Sequence, residues 1–210
     1  SSAASDVYKR QTLFTSFNPG SGKSFLTMNT AATFAMKGKR ILVIDGDLRR
    51  GSASAYLGSQ HKGLSDYLGK RESCLDALVQ ENPDIPGFFL LPAGTIPPNP
   101  TELLAEPLFK ETIEQLRGHY DYILIDCPPI DIVADTQIIE KLADRTVFVV
   151  RAGLLERDML SELQRMYDEK RFKNMALLLN GTEGGGNRYG YRYGYKYGYK
   201  YGYGSKNYYK

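Results

Sequence analysis

Cysteine and histidine are scarce in this chain of 210 residues: Cys74, Cys127, His61 and His119 are all there is, far apart in sequence. That scarcity argues against a disulfide framework or a local zinc motif and fits a reducing cytoplasm. Long apolar runs are missing as well. Nothing approaches the roughly 20 residues needed to cross a bilayer, and there is no secretory apolar core. Acids are absent from one stretch, 187–210, which holds six Lys/Arg. The formal net charge of +3, less those six, leaves about −3 on the rest of the chain. A folded acidic body with a basic tail is therefore expected. The length allows one sizeable core, and the composition is ordinary for a soluble globular protein.

Residues 1–11 read as a leader or as sequence carried in from cloning or reading. Asp6-Val7-Tyr8-Lys9-Arg10-Gln11 is what one reading frame of a common sequencing-library transposon end encodes. On that reading a natural N-terminal region is missing, and the folded domain runs over 12–181. Within it, short apolar runs at 13–15, 41–44, 88–91, 122–125, 147–150 and 176–179 alternate with helical stretches at 24–36, 101–117, 136–142 and 157–172. Phe25, Met28, Ala32 and Ala35 share one face of the first helix. Apolar runs of about four residues suit strands buried on both faces of a parallel sheet. Alternating βα units of this kind predict a three-layer α/β/α domain with a mostly parallel sheet. The segment 62–71 carries mixed charges and reads as a solvated stretch.

The first strand runs into Asn18-Pro19-Gly20-Ser21-Gly22-Lys23-Ser24 and then a helix, the arrangement of a phosphate-binding loop. Pro19, Gly20, Ser21, Gly22, Lys23, Ser24 and Phe25 form the expected cradle. Gly20 and Gly22 let backbone N–H groups turn inward, Lys23 reaches the β- and γ-phosphates of ATP, and the Ser24 hydroxyl ligates Mg²⁺. The usual first glycine of such loops is Phe17 here. Two later runs end in acids: 41–44 in Asp45-Gly46-Asp47-Leu48-Arg49-Arg50, and 122–125 in Asp126-Cys127-Pro128-Pro129. Ligands of open α/β sheets bind just outside the carboxyl ends of the strands. Three acids and a phosphate loop thus converge on one crevice, a set suited to phosphoryl transfer. Cys127 reads as a small strand-end residue, and Arg49 and Arg50 divide between contacting phosphate or a neighbouring subunit and simple solvation.

From Gly181 onward the character changes. Gly184-Gly185-Gly186 precedes a four-residue repeat of Tyr-Gly-Tyr-Arg/Lys without aliphatic residues, so 182–210 is expected to be disordered. Its ten tyrosines are Tyr189, Tyr191, Tyr193, Tyr195, Tyr197, Tyr199, Tyr201, Tyr203, Tyr208 and Tyr209. An ATP site and a tyrosine strip in one chain suggest a kinase acting on its own tail. Each phosphate adds about −1.5 to −2, so roughly three or four cancel the tail's charge and further ones repel the acidic body. Stacking of the tail on single-stranded nucleic acid and an inert low-complexity tail are the other readings.

The loop with Lys23-Ser24, the segment 41–49 ending D-x-D-x-R, and 123–129 resemble the Walker A, A′ and B motifs of the bacterial tyrosine kinases of capsule and exopolysaccharide export. The stretch Leu91-Pro92-Ala93-Gly94 through Pro97-Pro98-Asn99-Pro100-Thr101-Glu102-Leu103-Leu104 is similar to one in that family. The resemblance covers about 12–180 and the tail. It implies a P-loop NTPase fold, ATP and Mg²⁺ as cofactors, and autophosphorylation of the tyrosine cluster, in trans. Lys23 would contact phosphates, and Ser24, Asp47 and Asp126 would hold the metal. Asp45 and Asp47 would share proton acceptance from tyrosine, with Asp45 favoured as base. Asn180 sits where relatives contact adenine, or else is a strand-end turn residue. The resemblance also implies a membrane-spanning chain-length regulator as activator, fused upstream or separate, ring assembly, and a cognate phosphotyrosine phosphatase. The setting would be the cytoplasmic face of a bacterial inner membrane, with no nucleic acid. Partition and septum-site ATPases, which position partners without phosphorylating protein, are the rival; they carry a second lysine where Asn18 stands here, and no tyrosine tail.

Overall fold

The computed structural model of the chain describes residues 11–58, 61–130 and 133–182. The tyrosine cluster and the leader up to residue 10 lie outside the described residues. Strand β1 (Gln11–Ser16) opens the fold, one residue earlier than the boundary expected at Thr12, with Gln11 fully buried. Helix α1 (Lys23–Met36) follows, then β2 (Ile41–Asp45), a short 3-10 turn (Ser54–Leu57) and α2 (Leu64–Leu68). Next come β3 (Gln80–Glu81), β4 (Phe88–Leu91), α3 (Pro100–Ala105), α4 (Pro107–Arg117) and β5 (Tyr122–Asp126). The body closes with α5 (Val133–Glu140), β6 (Arg145–Arg151), α6 (Asp158–Asp168) and β7 (Met175–Asn180).

The seven strands lie in the order β3-β4-β2-β5-β1-β6-β7, all parallel except the β3–β4 pair. Alternation along each strand divides the core in two. Ile41 and Val43 face α1 with Met28, Ala31, Phe88 and Leu90. Leu42 and Ile44 face the other side, where α2 to α5 supply Leu64, Leu104, Phe109, Ile113 and Ile139. Helix α6 adds Leu163 and Met166 against Phe148 of β6. This is the expected three-layer α/β/α sandwich with a mostly parallel sheet.

Four local expectations are corrected. The helix read over 101–117 is two helices, because Glu106 turns out of helical geometry (ψ 144°) and Pro107 starts the second; proline lacks the N–H needed mid-helix but suits a first turn. The α1 core face is Thr27, Met28, Ala31 and Ala35, while Phe25 is partly exposed. Strand β7 is an edge, and Leu177 and Leu179 are 61% and 60% exposed rather than buried.

The segment 62–71 contains α2 and a buried acid. Asp66 Oδ2 accepts N–H bonds from Gly63 (2.9 Å) and Thr95 (3.0 Å), tying α2 to the loop after β4. Gly63 lies so close to that loop that an added Cβ would meet the Pro92 carbonyl oxygen at 2.1 Å. Asp66→Ala leaves both N–H groups without their charged acceptor and should cost about 2–4 kcal/mol. A urea titration tests this: an unchanged midpoint would show that Asp66 does not hold the loop.

Candidate active site

The strand order builds the site. Strands β2, β5 and β1 are neighbours, so their C-terminal ends form one lip. Asp45 and Asp126 are register partners across the β2–β5 pair, and Phe14 of β1 is level with Asp126. The chain leaves β1 through Phe17, buried in an edge-to-face contact with Phe148 (centroids 4.9 Å), and enters the glycine loop. An aromatic root thus replaces a glycine where no positive φ is required.

Positive φ is required further on, at Gly20 (77°) and Gly22 (88°). Gly22 is the N-cap of α1, so Lys23 and Ser24 open the helix at its positive end. Two serines stiffen the loop by donating to the Asn18 carbonyl, Ser16 Oγ at 2.9 Å and Ser21 Oγ at 2.5 Å. The next two strands, β6 and β7, brace it too. Asn180 Nδ2 donates to the Ser21 carbonyl (2.9 Å), and Arg151 Nη1 donates to the Gly20 carbonyl (2.8 Å). A Cβ on Gly22 would stand 2.3 Å from Asn180 Nδ2. Pro19 is exposed at the loop's crest, and Phe25 lies on the outer side of α1.

The acids have separate attachments. Ser24 Oγ donates to Asp126 Oδ2 at 2.5 Å, while Asp126 Oδ1 is buried without a hydrogen-bond partner among the described residues. Asp45 is fully buried. It accepts from Ser54 N–H (2.7 Å) and Ser54 Oγ (2.6 Å) on Oδ2, and from Asp47 N–H (3.1 Å) on Oδ1. Asp47 Oδ1 accepts from the N–H groups of Arg49 and Arg50, at 3.3 and 3.2 Å. Burial pushes the Asp45 carboxyl up to about 7, helped by the charge of Asp126 and opposed by Ser54. Burial pushes Asp126 up to about 6, with Lys23 and the Ser24 hydroxyl opposing. The Cys127 thiol is driven well up by burial, so it is no nucleophile.

Lys23, Ser24, Asp45, Asp47 and Asp126 therefore meet in one crevice. The donor set fits Mg²⁺: hard oxygens, a carboxylate oxygen without a partner, and an excess of buried negative charge. Among the described residues no three His, Cys, Asp or Glu side chains form a cage of their own. A magnesium ion would complete its shell with phosphate and water, as that ion prefers.

Some site residues were not legible in the sequence. Ser54, nine residues past Asp45, also accepts the Ala93 N–H (2.8 Å). Asp135 of α5, 1% exposed, holds Arg49 Nε at 2.9 Å, and the Thr101 hydroxyl bonds both partners. Arg49 is thus fixed between α3 and α5 rather than solvated. Arg151 gave no signal beyond following an apolar run, as many surface arginines do.

Residues 12–171 match the AAA domain family. The chain is 34% identical over 182 residues to the tyrosine-protein kinase YwqD of Bacillus subtilis, covering 86% of this chain and 76% of that one. It is 36% identical over 192 residues to a Ralstonia solanacearum protein bearing the name tyrosine-protein kinase EpsB, covering 90% of this chain and 25% of that one. The chain spans about a quarter of the length of that longer relative. In structure it is similar to the BceF tyrosine kinase domain, with TM-score 0.73, 36% identity and coverage of 85% and 72%. It is also similar to the septum-site-determining protein MinD with Mg-ADP from Pyrococcus horikoshii, with TM-score 0.65, 25% identity and coverage of 81% and 70%.

The raised carboxyls set a pH dependence. From pH 3.8 upward the folded chain keeps a proton on Asp45 to about pH 7 and one on Asp126 to about pH 6 that the unfolded chain has released. Stability without nucleotide or magnesium should therefore fall as pH rises through that window. Asp126→Asn removes one buried charge and should raise the pH 8 melting temperature by roughly 2–4 °C per kcal/mol relieved, while flattening the pH profile. Thermal melts from pH 4 to 8 check this. A profile that rises with pH in both proteins would refute the assignment.

Proposed function

The chain belongs to the AAA domain family and to the bacterial tyrosine-protein kinases within it, and we propose that it transfers the γ-phosphoryl group of ATP to tyrosines of its own C-terminal cluster, Tyr189–Tyr209, in trans. The observation that carries this reading is the convergence of Lys23, Ser24, Asp45, Asp47 and Asp126 at the ends of three adjacent strands. Lys23 and the loop N–H groups bind the phosphates and offset charge as it shifts toward the leaving oxygen. Ser24 and Asp126 would hold Mg²⁺, which when bound would supply positive charge against the phosphates, and Asp47 beside them stays available for the proton. In the transfer, a tyrosine Oη bonds to the γ-phosphorus, the bond to the β–γ bridging oxygen breaks, and ADP leaves.

The phenolic proton, with an ordinary pKa near ~10, needs an acceptor. Geometry precedes pKa in choosing one. Asp45, favoured from the sequence, has both oxygens committed to Ser54 and to the Asp47 N–H. Asp47 engages the protein through Oδ1 alone among the described residues. The hydrogen bonding therefore supports Asp47 as the base and Asp45 as the anchor that positions it. Asn180, occupied with the Ser21 carbonyl, acts as a brace of the loop as well as a candidate adenine contact.

The wider setting follows from the same reading. The kinase works at the cytoplasmic face of a bacterial inner membrane, stimulated by a membrane-spanning chain-length regulator and reversed by a phosphotyrosine phosphatase. It governs capsular or exopolysaccharide assembly. No described helix is long and apolar enough to cross a membrane itself.

Labelled ATP tests the reaction, with the activator's cytoplasmic segment supplied. Phosphotyrosine should accumulate in 189–209, vanish in Lys23→Met, and form ~10²–10⁴-fold more slowly in Asp47→Asn. Release of free phosphate with no labelled protein would instead favour a nucleotide switch of the MinD kind.

A further inference from the structure

One groove of the body lies outside the nucleotide site. It is a cavity of about 280 Å³ beside α1 at the β3–β4 edge of the sheet. Met28, Phe88 and Leu90 make a buried floor, and Tyr56 stands in the wall. Glu81 and Asp84 are exposed at the rim, and among the described residues no lysine or arginine lines the cavity. An apolar slot with negative charges on its described rim suits a flat apolar group flanked by cations. That is the repeat unit of this chain's own C-terminal segment, where Arg188, Arg192, Lys196 and Lys200 each adjoin tyrosine.

We propose that this groove is a docking site for the tyrosine-rich segment 188–204. One ring seats on Met28 and Phe88, and the adjoining cations pair with Glu81 and Asp84. Docking one tyrosine leaves the others to be presented to the crevice in turn. The proposal deepens the tyrosine-kinase reading and rests on it for its purpose, since it names how the acceptor is held. Tyr56 follows by two residues the Ser54 that bonds Asp45, so the groove adjoins the acidic lip along the chain. The segment leaves from β7, at the opposite edge of the seven-stranded sheet, roughly 29 Å from β3 at the usual strand spacing. Residues 183–195 span roughly 45 Å when fully extended, so Tyr195 of the same or of a second copy reaches the groove.

The test places photo-crosslinking benzoylphenylalanine at Tyr195 of the full chain, without ATP, and maps the products by mass spectrometry. Crosslinks are expected on Met28, Tyr56 or residues 80–90. Glu81→Lys with Asp84→Lys should lower their yield roughly tenfold, the expected cost of turning two exposed attractive pairs repulsive. Should that pair unfold the chain in a thermal melt, Glu81→Gln with Asp84→Asn keeps the rim's shape and should give a smaller loss in the same direction. Crosslinks confined to other surfaces, or a yield within twofold of wild type in a folded variant, overturn the docking site. Groove crosslinks in a chain that makes no phosphotyrosine leave the docking site standing and remove the kinase reading. Phosphotyrosine without groove crosslinks does the reverse.

Discussion

Two buried carboxylates held level on adjacent parallel strands are the constraint around which this domain is organised. Asp45 and Asp126 are fully buried register partners, and buried charge is costly unless it is paired or neutralised. The chain meets that cost with Ser54 on one acid, Ser24 and Lys23 near the other, and protons while the site lacks a cation. The same deficit is what supports the proposal of magnesium and, through it, of a polyphosphate in this crevice. Folding and ligand binding thus draw on one electrostatic imbalance.

Around that centre the connections are side-chain bridges between loops rather than extensions of the sheet. Ser54 links Asp45 to Ala93 in the loop after β4. Asp66 carries the same loop to α2. Arg49, Asp135 and Thr101 join the loop after β2 to α5 and α3. Each bridge ends on a buried carboxylate, and hydrogen bonds to ionised groups exceed neutral ones in strength. The acidic lip is consequently held through both oxygens at Asp45 and through one at Asp47, whose second oxygen accepts no recorded hydrogen bond among the described residues although the side chain is buried.

The fold was legible because its signals are local and repeated. Apolar runs of four residues ending in aspartate mark buried strands with functional ends, and β2 and β5 follow that pattern to the residue. The glycine loop was legible through Gly20, Gly22, Lys23 and Ser24 despite Phe17. What escaped had no periodic signature. Pro107 does break a helix by a local rule, but the amphipathic pattern on either side of it masked the break. The charges of 62–71 looked solvated because a buried Asp66 is recognisable only once Gly63 and Thr95 are known to approach it. Ser54, Asp135 and Arg151 lie nine or more residues from their partners, where sequence spacing carries no information on distance.

Asn180 and Gly22 tie the end of the last strand to the glycine loop. The last side chain of the sheet closes the glycine loop, and Gly181, in a left-handed turn (φ 67°), follows directly. A pull on the C-terminal extension therefore acts on a lever whose fulcrum is the phosphate cradle. Traction there and occupancy of the proposed phosphate site would bear on the same joint.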